Sequence, residues 1–202
     1  AFSTVSRRQR DALLGQLLLL GMTDADAGGD LGIAGLIHTI PCGAASLRSP
    51  VAPFSAAERE ARLAAHGIPS SARIALWSGG FNAWTDAPTL IAGLERAMEN
   101  DPRLRLVATG GALPDYLATV YEEVERLAAA SKFADRIHLL GWLSLEEAAR
   151  WAAAADVGLV VDRPCAETRL GARNRLLAFA AARCPIVASR GTEAVEEMEA
   201  AQ

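Results

Sequence analysis

Five short apolar runs constrain this chain most: "RIALWS" at 73–78, "LRLVATG" at 104–110, "RIHLLG" at 136–141, "VGLVV" at 157–161 and "PIVAS" at 185–189. Their hydrophobicity is continuous rather than alternating, as a strand covered on both faces requires. The segments between them carry helical spacing. Leu90, Ile91, Leu94 and Met98 line one face of 87–99, and Leu117, Val120, Tyr121, Val124 and Leu127 line one face of 115–131. Ser144 and Glu147 have the spacing of a capping box for a helix reaching about Ala155. One helix is expected over 168–182, and another begins at 192. Alternating strands and helices predict an α/β fold: a Rossmann-like parallel sheet with helices on both faces and right-handed crossovers. The segment is too short for an eight-unit barrel.

The first fifty residues break this rhythm. "AFSTV" reads as a short strand, Ser6 caps a helix through about Leu20, "TDADAGGD" reads as a loop, and "LIHTI" is a strand ending at Pro41-Cys42-Gly43. A capping box from Ser55 to Glu58 opens a helix that Gly67 ends. Residues 44–54, with Pro50 and Pro53, read as a linker, and the domain boundary is placed near 43–50. The expected division is therefore 1–43, from a preceding domain, and 44–202. The chain begins with Ala1 and stops at Gln202 inside a helical pattern, so a fragment of a longer protein is expected.

Composition excludes several classes. With 51% hydrophobic and 22% charged residues the chain is globular. A net charge of −4 offers no basic surplus for nucleic acid. Three widely separated cysteines, Cys42, Cys165 and Cys184, suit a reducing, cytoplasmic compartment. His38, His66 and His138 lack metal-ligand spacing. No signal peptide is visible, and the apolar "ALLGQLLLLGM" is interrupted by Gln16 and too short to span a bilayer.

In a parallel α/β sheet, ligands collect where strands end and helices begin. Amide N–H groups and the helix dipole there favour an anion by about 0.3–1 kcal/mol. Gly79-Gly80-Phe81 follows the first run and Gly110-Gly111 the second. Glycine permits positive φ and close approach of a ligand to the backbone. Neither pair forms a G-x-G-x-x-G fingerprint, and no P-loop Lys-Ser/Thr follows. Trp142, past the third run, offers a flat wall to a base. After the fourth run, "VDRPCAETRLGARNRLLAFAAARCPIV" combines Glu167 with Arg169, Arg173 and Arg175. A carboxylate there can accept sugar hydroxyls, and arginine presents planar donors to phosphate. On one continuous helix, 169 and 173 share a face and 175 is turned away. Each feature also has a plainer reading: a turn that only shapes the chain, a packing tryptophan, a solvated arginine-rich helix.

Taken together, "LWSGGFNAWTDAPTLIAGLERAM", "LGWLS" and "ETRLGARNRLLAFAAARCPIV" resemble the C-terminal, donor-binding domain of retaining GT-B glycosyltransferases of the family 4 type (glycosyl transferases group 1). "VSRRQRDALLGQLLLLG" and "IHTIPCG" resemble the end of the preceding acceptor domain. The resemblance implies a hexosyltransferase that uses a nucleotide-diphosphate sugar as donor, with no bound metal and no further cofactor. Gly79, Gly80 and Phe81 would line the diphosphate and sugar, and Trp142 would lie near the base. Trp84, Gly110, Gly111, Asn174 and Arg175 complete the implied donor-binding set. Glu167 matches the first acid of the family's paired-glutamate motif and, with Arg173, forms the implied catalytic pair.

The chain departs from the family pattern at three places. Gly80 and about Thr85 stand where the family carries Arg and Lys, Ala178 stands in place of the second acid, and Arg183 replaces a glycine. Arg173 or Arg175 would substitute for the missing basic residues. Implied partners are a carbohydrate or lipid-linked acceptor and an N-terminal domain, with peripheral membrane contact and no nucleic acid; the fragment alone would not turn over. The competing expectations are a Rossmann-type nucleotide-cofactor module and a degenerate, non-catalytic relative.

Overall fold

The computed structural model describes residues 1–27, 32–43, 55–112 and 118–201. In chain order, the elements begin with β1 (Phe2–Thr4), α1 (Arg7–Leu19), α2 (Asp24–Ala27), α3 (Gly32–Gly35) and β2 (Ile37–Thr39). They continue with α4 (Ala56–Ala65), β3 (Arg73–Ser78), α5 (Ala87–Asn100), β4 (Leu104–Thr109) and α6 (Ala118–Ala130). A 3₁₀ turn at Ala134–Arg136 leads to β5 (Ile137–Leu139), α7 (Leu145–Ala154) and β6 (Val157–Val160). The last elements are α8 (Ala166–Leu170), α9 (Asn174–Ala181), β7 (Ile186–Ala188) and α10 (Glu193–Ala200). The chain divides into two compact units: Ala1–Gly43 with Pro164–Asn174 and Arg190–Gln202, and Ala44–Arg163 with Arg175–Ser189.

The larger unit is built on the five apolar runs. They form one fully parallel sheet in the order β5-β4-β3-β6-β7, with helices on both sides. Counting from β3, this is the doubly wound order, in which the chain reverses direction across the sheet between β3 and β6. Alternation along β3 sends Ala75 and Trp77 to one face and Ile74 and Leu76 to the other, and all four are buried. Leu90, Ile91, Leu94 and Met98 of α5 and Val124 of α6 pack on the Ala75–Trp77 face. Each fully buried side chain of this kind contributes about 1.5–3 kcal/mol.

In the smaller unit, β1 and β2 pair in parallel, and Leu17 of α1 packs against Ile33 and Ile37. Ser6 caps α1 by accepting from the Gln9 amide and also donates to the Leu170 carbonyl at 2.8 Å. Arg7 pairs with Glu193 and Glu197 of α10, and Arg8 pairs with Glu196.

Four local expectations change. Part of the expected loop "TDADAGGD" is the helical turn α2, because the Asp26 carboxylate accepts from the Thr23 amide and hydroxyl at 2.6 and 2.8 Å. Ser144 does cap α7 through the Glu147 amide, but the Glu147 carboxylate bonds Arg62 instead of closing the box. At Ser55 the box with Glu58 is complete. The single helix expected over 168–182 is two, α8 and α9, separated at Gly171–Arg173. Residues 28–30, the linker with Pro50 and Pro53, and Leu117 lie outside the described residues.

Candidate functional site

Strands β3 and β4 run in register from Arg73↔Leu104 to Ser78↔Thr109, so their glycine pairs leave the sheet at the same level. The two turns touch. The Gly79 amide donates to the Thr109 carbonyl at 3.2 Å, and the Phe81 amide donates to the Gly111 carbonyl at 3.3 Å. A Cβ on Gly110 would lie 2.0 Å from the Gly79 carbonyl oxygen. Gly79 itself has φ +94°, and its carbonyl accepts the Trp77 indole N–H at 3.1 Å.

The amides of this corner divide into two groups. Those of Gly79, Phe81 and Asn82 donate to protein acceptors, the last to the Thr85 hydroxyl at 3.1 Å. Those of Gly80, Gly110 and Gly111 have no acceptor among the described residues, although all three glycines are buried. Backbone N–H groups at the carboxyl end of a parallel sheet are suited to an anion.

The corner borders the point where the sheet reverses direction. There the loop after β3 is tied to the exit of β6. Thr85 and Asp162 form an antiparallel bridge, the Arg163 amide donates to the Trp84 carbonyl at 2.7 Å, and the Asp86 amide donates to the Val161 carbonyl at 3.0 Å. The Asp162 amide in turn donates to the Ser189 hydroxyl at 3.1 Å. Sequence reasoning missed this strap. The Asn82–Thr85 spacing, with a hydroxyl placed to receive an amide, was the signal available for it.

The expected site residues fall as follows. In the larger unit, the structure brings Gly79, Gly80, Gly110 and Gly111 together. Phe81 contributes only its main chain: its ring is fully buried, stacked on Trp77 at 4.8 Å and 5°, and 5.5 Å from Tyr121. Trp84 is partly exposed and belongs to the strap. Trp142 is 53% exposed and donates to the Ala112 carbonyl at 2.6 Å. Its Cδ1 would be 3.7 Å from a Cβ on Gly111, so this ring lies over the second glycine turn. The Arg175 guanidinium reaches the first turn, where Nη2 donates to the Gly80 carbonyl at 2.8 Å.

In the smaller unit, Asn174 is exposed at the start of α9. Arg173 is buried and donates to the carbonyls of Glu167 and Ala172, at 3.1 and 3.3 Å. The helix closes at Gly171, whose amide donates to the same Glu167 carbonyl at 2.9 Å, and the Arg173 guanidinium folds back beside this end of α8. The face shared by Arg169 and Arg173 on a continuous helix therefore does not exist.

Glu167 is exposed in the first turn of α8. Its own backbone N–H, then the Cys165 thiol, with Arg173 nearby, hold its carboxyl below the ordinary carboxylate range. Because the folded state depresses this pKa, the associated stabilisation exists above the unfolded pKa and is lost as pH falls through the folded one. In a carboxyl-detected NMR titration, Glu167 should have its midpoint below that of a free glutamate side chain. Cys165→Ala should move the midpoint upward, and an unmoved midpoint would remove the thiol as a cause. Among the described residues no group of His, Cys, Asp and Glu is placed to hold a metal ion, and no helix is long and apolar enough to cross a membrane.

No curated protein matches the chain in sequence. Solved structures do match in fold. An α,α-trehalose-phosphate synthase (UDP-forming) from Burkholderia vietnamiensis is 14% identical with a TM-score of 0.68, over 98% of this chain and 47% of its own. HepE from Anabaena, in complex with UDP-glucose, is 17% identical with a TM-score of 0.68, over 96% of this chain and 46% of its own. The C-terminal domain of LpcC, a glycosyl transferase group 1 family protein from Francisella tularensis, is 19% identical with a TM-score of 0.52, over 66% of this chain and 65% of its own. The chain thus spans about half the length of the first two. Its architecture is that of the C-terminal half of a GT-B enzyme. The family described as glycosyl transferases group 1 matches residues 72–201, well over half of the sequence, and the chain belongs to that family.

Proposed function

We propose that this chain is the donor-binding half of a retaining, metal-independent glycosyltransferase that moves a hexose from a nucleotide-diphosphate sugar to a carbohydrate or lipid-linked acceptor in the cytoplasm. The observation that carries the reading is the paired glycine corner, where the amides of Gly80, Gly110 and Gly111 have no acceptor among the described residues. A diphosphate is an acceptor of the right charge for such amides. Trp142 over the second turn suits a base. HepE, a fold neighbour, was solved with UDP-glucose, which makes a nucleotide sugar the first ligand to test.

The retaining outcome and the role of Glu167 in holding sugar hydroxyls come from the family resemblance. So does the need for an N-terminal domain, which would bring the acceptor and complete the active site. During transfer, negative charge develops on the leaving diphosphate, and fixed N–H donors stabilise it without reorganising.

The test is thermal unfolding of the 202-residue chain with UDP, GDP, ADP and their glucose conjugates at millimolar concentration. One nucleotide should raise the Tm. A ligand present at 100 times its Kd adds about 2.7 kcal/mol, or about 5–10 °C for a chain of this size. Glu167→Gln should reduce the extra shift given by the sugar conjugate while leaving that of the nucleoside diphosphate. No shift with any nucleotide would overturn the reading.

A second reading, a degenerate domain that binds donor without transferring it, is favoured by Ala178. It stands in α9 where the family carries its second acid, and α9 holds no carboxylate at all. Full-length protein that binds a sugar nucleotide and neither transfers nor hydrolyses it would select this alternative.

A further inference from the structure

Arg175 lies in the first turn of α9, and its guanidinium packs on Trp77 and the first glycine turn. The guanidinium carbon lies 3.9 Å from the centroid of the Trp77 ring, and Nη2 donates to the Gly80 carbonyl at 2.8 Å. The same nitrogen would be 3.8 Å from a Cβ on Gly79. Trp77 is itself immobilised. It is fully buried, its indole N–H holds the Gly79 carbonyl, and its ring stacks on Phe81. A single tryptophan therefore fixes both the shape of the glycine turn and a cation beside it. Arginine suits this arrangement because a guanidinium can stack on a ring and donate hydrogen bonds in its own plane at once.

We infer that Trp77 is a positioning residue that holds the Arg175 guanidinium against the glycine turn to meet a donor diphosphate, where this chain has Gly80 and Thr85 in place of basic side chains. The inference rests on the donor-binding reading above. Charge comes from the helix α9 instead of the loop itself, and its location depends on the strand β3. Lysine at 175 would keep the charge and lose the flat stacking surface.

Titration calorimetry tests this with inorganic pyrophosphate, with UDP, GDP and ADP, and with the matching nucleosides. Wild-type chain should bind pyrophosphate and at least one nucleoside diphosphate. Arg175→Ala should weaken those ligands at least tenfold and leave the nucleoside unchanged. Trp77→Phe should weaken the same ligands by a few-fold to tenfold, again sparing the nucleoside. In the double variant the Trp77 change should add nothing, because the group it positions is gone. Arg175→Lys, which leaves the core intact, should fall between wild type and Arg175→Ala. If Trp77→Phe fails to fold, this lysine variant and Arg175→Gln still decide the question.

Equal loss of nucleoside and diphosphate binding, or additive losses in the double variant, would make Trp77 merely structural and overturn the inference. So would unchanged diphosphate binding in the Arg175 variants. Wild-type chain that binds no phosphate ligand would overturn the donor-binding reading and this inference together.

Discussion

Gly110→Ala should unfold about 6–20 °C below the parent chain and lose its response to nucleoside diphosphates. The new methyl group would sit 2.0, 2.4 and 2.9 Å from the Gly79 carbonyl oxygen, carbonyl carbon and Cα. All three atoms are backbone, so no side-chain rotation relieves the overlap. The turns must separate, which strains or breaks the Gly79–Thr109 and Phe81–Gly111 hydrogen bonds. Overpacking costs about 1–3 kcal/mol and each of the two weakened hydrogen bonds about 1 kcal/mol, giving about 3–5 kcal/mol in total. For a chain of this size that corresponds to the stated drop. Gly111→Ala is the control. Its methyl group would meet Trp142 and Tyr121 at 3.7 Å, an ordinary contact, so its Tm should change little. Scanning calorimetry of the two variants, with and without ligand, checks both statements. Equal stability of the two would mean that the turns are not packed as described.

Phe179→Ala should cost about 3–5 kcal/mol of stability, the usual loss for emptying a filled aromatic site. Phe179 is fully buried, and its ring occupies the space over Gly158 so closely that a Cβ there would approach to 2.5 Å. Glycine in the middle of β6 is otherwise a poor strand residue; here it lets α9 lie close to the sheet. Urea unfolding followed by far-ultraviolet circular dichroism would give the cost, and a value below about 1 kcal/mol would refute the packing. The ring anchors the helix that begins with Asn174 and Arg175. This variant should therefore also blunt ligand binding at Arg175, even though Phe179 lies in the hydrophobic interior.

The strands were legible because their runs are mainly apolar, most strictly in β3 and β6 at the middle of the sheet, while the edge strands β5 and β7 are only partly buried. Their spatial order was not legible, since it depends on which way each crossover returns. The helix break at Gly171–Arg173 had one signal, Gly171, and the good helix formers around it, Ala172 and Arg173 among them, masked it. Gly171 is where α8 closes, its amide donating to the Glu167 carbonyl. Phe81 looked like a pocket wall beside a glycine turn, yet its apolar surface found Trp77 and Tyr121 in the core. Trp77 read as one more apolar strand residue. Its partner, Arg175, lies far along the chain, and local periodicity carries no information about such a pair. The glycine pairs were legible as turns, and their mutual contact followed once β3 and β4 were seen to end in register.

The Thr85–Asp162 bridge has a kinetic consequence. Residues 82–86 belong mechanically to both halves of the sheet, so their freedom is surrendered during folding and not at the moment of encounter. A visiting molecule finds this part of the rim already set, with no segment there to order first. Discrimination among visitors at this rim then resides mainly in how long each one stays.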